Sequence, residues 1–169
     1  MKRRTFIKKN AIVTLAPFIT TGLLARNKKI KSLSEKPFQL NYAPHFGMFE
    51  SMAGKDLMDQ IQFMHDQGFR SLEDNGMKNR SKKTQNDIAK KMEKLGMSMG
   101  VFVGHKIYWK EPNLTSGDKS LQDEFVENIR DSVEVAKRVN ATWMTIVPGH
   151  IDLEKEMDYQ TANVIEALK

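Results

Sequence analysis

The chain has 169 residues, 40% of them hydrophobic, a formal charge of +6 and no cysteine. The missing thiols exclude a disulfide framework, a thiolate metal site and a cysteine nucleophile within this sequence. Residues 1–36 hold ten of the 27 Lys and Arg but one of the 21 Asp and Glu, so the remainder carries 17 basic against 20 acidic residues, a net −3. The positive charge therefore belongs to the N-terminal extension, and the rest offers no electrostatic case for binding nucleic acid.

The extension begins Lys2-Arg3-Arg4-Thr5-Phe6-Ile7-Lys8 and runs into a mostly apolar stretch over residues 11–25, short for a bilayer span. It resembles a twin-arginine signal, in which two arginines precede a phenylalanine and a lysine and an apolar region ends at a small residue, here near Ala25. A basic tail or an uncleaved membrane anchor is the alternative. The expected organisation is a signal segment over residues 1–25, a polar linker over 26–36 and a folded domain over 37–169. The resemblance implies the twin-arginine export machinery as a partner and a periplasmic location, with a cytoplasmic one as the alternative. Such export carries proteins already folded, often with a cofactor inserted. Loading Mn²⁺ or Mg²⁺ before export avoids competition from Cu²⁺ and Zn²⁺, so the signal favours a metalloprotein.

The folded part opens with a predicted strand over residues 38–43. Gln39, Asn41, Ala43 and His45 share one phase, while Phe38, Leu40, Tyr42 and Phe46 share the other. A helix follows on the stripe Leu57, Ile61, Met64, and Gly68 ends it in a left-handed cap. His65 lies beside that stripe and reads as surface. The second strand starts at Phe69 and ends at Glu73-Asp74, with Asp74 on the opposite side in a structural role. The basic cluster over residues 78–83 reads as a solvated loop. A second helix carries Ile88, Met92 and Leu95 and stops at Gly96. The third strand, 99–103, ends at Gly104-His105, and a long loop bearing Tyr108-Trp109 follows. Those two rings either wall a pocket or pack the loop on the rim. A third helix has the stripe Leu121, Phe125, Ile129, Val133 and ends at Asn140; the fourth strand, 143–147, ends at Gly149-His150. A last helix over residues 161–169 carries Val164, Ile165 and Leu168. Both runs 99–103 and 143–147 are nearly continuously apolar, as strands buried on both faces are. The methionines read as core filler.

The fold class is therefore α/β, with about four β/α units. The strand tips His45, Glu73, His105 and His150 lie 28, 32 and 45 residues apart, against about 30 per unit in a (β/α)8 barrel. The pattern predicts the N-terminal half of such a TIM barrel, with an open doubly wound sheet as the alternative. Active sites of the barrel lie at the carboxyl ends of the strands, which makes Asn41, His45, Glu73, His105 and His150 the candidate substrate-binding residues. Each has a plainer reading: a solvated loop histidine for His45, a carboxylate bonding a loop amide for Glu73. Alternation does not turn His105 or His150 inward, but each follows a glycine, where phase stops being informative.

The stretches Phe38-Gln39-Leu40-Asn41-Tyr42-Ala43-Pro44-His45-Phe46-Gly47-Met48-Phe49 and Gly68-Phe69-Arg70-Ser71-Leu72-Glu73 resemble the start of the xylose-isomerase-like TIM barrels. Within that group they are most similar to the hydroxypyruvate isomerase-like sugar isomerases and epimerases. Leu95-Gly96-Met97 with the strand after it, and Val139-Asn140-Ala141-Thr142-Trp143, fit the third strand and the approach to the fourth. The resemblance implies proton transfer between adjacent carbons of a small sugar or hydroxy-keto acid through an enediolate. It further implies a divalent metal, Mg²⁺ or Mn²⁺ before Zn²⁺, as Lewis acid. Metal ligands and catalytic glutamates come from strands five to eight in such proteins, so the expectation is no catalytic residue and no metal ligand within this sequence. An oligomer is compatible with the sequence. Two other classes remain: a non-catalytic exported sugar-binding protein, and a metal-dependent DNA-repair endonuclease, which the −3 charge of the folded part disfavours.

Overall fold

The structure, a computed structural model, describes residues 36–169. The signal segment and all of the linker except Lys36 lie outside the described residues. Helices are α1 (Glu50–Ala53), α2 (Leu57–Asp66), α3 (Lys82–Leu95), α4 (Lys119–Val139) and α5 (Met157–Ala167). Strands are β1 (Ser71–Leu72), β2 (Ser98–Met99), β3 (Val101–Val103) and β4 (Trp143–Thr145). This is a mixed α/β chain with short, parallel strands. No described helix is long and apolar enough to cross a membrane.

Helix boundaries follow the local chemistry. The Asp56 carboxylate accepts the Met58 N–H at 2.8 Å, Ser81 Oγ accepts the Thr84 N–H at 3.1 Å, and Asp118 accepts the Ser120 N–H at 2.7 Å. These side chains satisfy amides that have no partner inside their helices. The C-termini end on left-handed residues where the sequence placed them: Gly68 at φ 100°, Gly96 at φ 63° and Asn140 at φ 53°. Helix α5 starts four residues earlier than the stripe at 161–169 indicates. Gln160, buried there, accepts the Asp152 N–H and donates to the Asp152 and Lys155 carbonyls, which anchors the first turn.

Strands join in sequence order. His45 bridges to Glu73, β1 pairs with β2, and β3 pairs with β4, all parallel. The core lies between this sheet and the helices: Ile61 and Met64 from α2, Ile88 and Met92 from α3, and Val135 and Val139 from α4 pack on Leu72, Met99 and Phe102. Five core positions are methionines, the gap-filling role expected of them.

Three strand expectations are corrected. Residues 38–43 form no strand. The Tyr42 N–H is spent on the Leu40 carbonyl in a tight turn, Pro44 has no N–H, and the Phe38 ring instead stacks at 4.9 Å on Phe69. The third strand is broken at Gly100 into β2 and β3. The fourth is three residues long and not buried on both faces. Trp143 is 71% exposed, because β4 pairs on one side and only Met144 reaches the core.

Candidate functional site

The break at Gly100 decides which side chains reach the open face of the sheet. Met97, Met99 and Phe102 all lie in the core, although Met99 and Phe102 are three residues apart. Strict alternation forbids that, so the chain slips by one residue. A methyl on Gly100 would meet Ala43 and Glu73, whereas one on Gly104 would meet Ile129 of α4 and Met144. Gly104 thus faces the helices and Val103 faces away from them, whereas His105, past the strand end, is buried with its ring 5.0 Å from that of Phe125 on α4.

On the open face, at the carboxyl edge of the first two strands, stands a histidine–carboxylate pair. The Glu73 N–H donates to the Pro44 carbonyl at 3.2 Å, and this backbone bond brings His45 Nε2 into contact with Glu73 Oε1. A carboxylate only accepts, so the imidazole presents a proton to it at Nε2, and in the neutral ring Nδ1 is then the lone-pair nitrogen. Both side chains are partly exposed. One layer below, Ser98 Oγ lies 3.2 Å from Ser71 Oγ, and Asn41 donates its amide to Ser98 Oγ at 3.4 Å. Asn41 therefore sits at the opposite end of this face from the pair, in a small hydrogen-bonded polar layer.

A cavity of about 650 Å³ lies beyond the ends of β3 and β4, lined among others by Val103, His105, Thr145, Val147 and Trp109. His105 is 4% exposed and fully bonded. Its Nδ1 lies 2.8 Å from the Lys106 carbonyl and its Nε2 accepts the Val147 N–H at 2.9 Å. That pair of bonds requires the neutral ring with its proton on Nδ1. Burial lowers its pKa below the ordinary histidine value; the Lys106 carbonyl opposes the shift and the Lys78 charge adds to it. His105 hence positions the two strand ends and has no nitrogen left for a ligand.

Lys78, from the one-turn helix Met77–Asn79, also lines this cavity. Its ammonium donates to Asn128 Oδ1 at 2.6 Å, the Asn128 carbonyl at 2.8 Å and the Gly104 carbonyl at 3.4 Å. Burial pulls its pKa down, partly offset by the Asp131 charge. The loop over residues 78–83 is accordingly not simply solvated. Arg80 forks onto the buried Asp74 carboxylate, with Nε to Oδ2 at 2.5 Å and Nη2 to Oδ1 at 3.2 Å. Asp74 is structural, as alternation indicates. The signal for Lys78 was its place five residues past the strand tip at Glu73.

The two rings of the long loop divide the roles expected of them. Trp109 stands on the cavity wall, 73% exposed. Tyr108 packs the loop on α4: its hydroxyl donates to Glu124 at 2.6 Å and accepts from Lys106 at 2.6 Å. The tyrosine bond, with the Lys106 charge behind it, holds the Glu124 carboxyl below its usual range. His150 is elsewhere. Gly149 turns at φ 101°, and His150 then borders a shallow recess with Pro112 and Asp152. Its carbonyl accepts Thr115 Oγ1 at 2.7 Å. Of the five candidates, His45 and Glu73 meet, His105 reaches the cavity, Asn41 shares the face, and His150 stands apart.

Among the described residues no three His, Asp or Glu side chains gather as ligands for a metal. His45 and Glu73 supply two donors, fewer than the three protein ligands of a catalytic zinc site or the oxygen shell of Mg²⁺. These residues do not by themselves fit a divalent ion. No family model, curated protein or solved structure matches the chain.

Proposed function

We propose that the described strands are an arc of a closed (β/α)8 barrel of the xylose-isomerase-like kind, and that the protein isomerises or epimerises a small sugar or hydroxy-keto acid. Sequential pairing supports the barrel. Each strand's neighbour is the next in the chain, and the described strands lack the order reversal that defines a doubly wound sheet. The observation that carries the functional reading is the His45–Glu73 pair at the carboxyl edge, where barrels of this type hold their chemistry. With the ring neutral, His45 Nδ1 and the second Glu73 oxygen are acceptors suited to adjacent hydroxyl groups. The resemblance implies a divalent metal, but the described residues do not assemble its ligands; their part is to bind and orient the substrate. The segment over residues 1–25, outside the described residues, is proposed to direct export to the periplasm.

The test is proton exchange. Full-length protein, supplied with Mg²⁺ or Mn²⁺ in D₂O, should exchange the carbon-bound proton beside the carbonyl of hydroxypyruvate or of a ketose, followed by NMR. Glu73→Gln should lower kcat/KM by about tenfold, the loss of one charge-assisted hydrogen bond. Absence of exchange with both substrate classes would retire the isomerase reading.

A further inference from the structure

We propose that the cavity beyond β3 and β4 is an oxyanion subsite, in which Lys78 receives a carboxylate or phosphate group of a small ligand. This deepens the reading above by naming an acidic substrate over a neutral sugar. Two lysines line the cavity, and no carboxylate does. Their situations differ. Lys106 Nζ has Glu124 Oε1 at 3.5 Å and is balanced. Among the described residues Lys78 makes no ion pair; its three bonds all go to neutral oxygens, and Asp131 acts on it only from beyond ion-pair distance.

A half-buried ammonium without a counter-charge carries a desolvation cost that an anion relieves. Asn128 holds the group in place through two short bonds, so little rotamer freedom is lost on binding. The third bond, to Gly104 at 3.4 Å, is long enough to give way to a charged acceptor. Asn75 and Asn79 border the same space, and their side-chain amides bond to no other described residue, which leaves two further donors. The depressed Lys78 pKa agrees with a cation short of compensation.

Trp109 on the wall is the reporter. The chain has two tryptophans, and Trp143→Phe removes the other, which lies at the exposed start of β4. With this variant of the full chain, fluorescence titrations compare glycerol, glycerate and glycerol 3-phosphate. Glycerate should bind at least about tenfold more tightly than glycerol, the usual worth of one charge-assisted contact. A still tighter glycerol 3-phosphate identifies phosphate as the preferred group and equally supports the subsite. Lys78→Met should abolish the preference and Lys78→Arg should retain most of it. Where circular dichroism shows Lys78→Met unfolded, the glycerate–glycerol ratio on the Trp143→Phe protein decides. Equal affinity for those two, or no saturable signal with any of the three, overturns the proposal. Glycerate binding without proton exchange would sink the isomerase reading alone, and exchange without anion preference would sink the subsite alone.

Discussion

Acidification perturbs one named contact in this fold, the Val147 N–H donated to His105 Nε2 at 2.9 Å. The other nitrogen already serves the Lys106 carbonyl, so a second proton would set an N–H against an N–H. At 4% exposure the ring has little water to turn to. The folded pKa lies below the ordinary value, and the unfolded one is about 6.5. As pH falls the unfolded chain therefore takes up the proton first, and the folded state loses ground. The contribution is whole above about pH 6.5 and shrinks below it, by up to about 1.4 kcal/mol per pH unit, until the folded pKa is passed. Urea unfolding of the wild type and His105→Phe, from about pH 8 to about pH 5, isolates this slope from that of the shared carboxylates. At the upper end the variant should be less stable by about 1–3 kcal/mol, for an N–H left without its acceptor. The two curves should then converge with acid. Parallel curves, or curves that diverge with acid, would refute the argument.

Two further outcomes test the backbone and the ion pair. Gly149→Ala should cost about 2–3 kcal/mol, from left-handed strain plus overpacking, because φ is 101° and the added carbon would lie 2.8 Å from Asn113 Cβ. Gly96→Ala, at φ 63° with open space around it, should cost only about 1 kcal/mol; equal losses in thermal melts would contradict the contact. Asp74→Ala should cost about 3 kcal/mol for stranding Arg80, since the carboxylate side chain is 6% exposed. A loss below about 1 kcal/mol in chemical denaturation would show the pair to be a surface one.

The helices were legible because their signals are local: the stripe Ile88–Met92 and the caps Gly96 and Asn140 need no knowledge of the rest of the chain. Strand ends were legible as positions, and Glu73 with His45 came from counting them. Strand extents were not. Whether residues 38–43 pair depends on a neighbouring strand far in sequence, and the Tyr42 N–H turns instead to Leu40, two residues away. Lys78 was hidden for the same reason, since its acceptor Asn128 lies 50 residues away. Alternation left the His105 orientation open, and the doubled step at Gly100 leaves no mark in hydrophobicity: Met99, Val101 and Val103 are all apolar.

That doubled step gives the two halves of one strand opposite parity. Counting odd and even positions through residues 97–105 sends half of them to the wrong side, in any redesign as much as in a first reading. Shortening the strand by one residue there would turn the Val103 side chain toward the helices. It would also bring position 104 round toward the cavity, where any group larger than hydrogen would take up room. Which strand residues face the recess is thus set by an irregularity in the main chain.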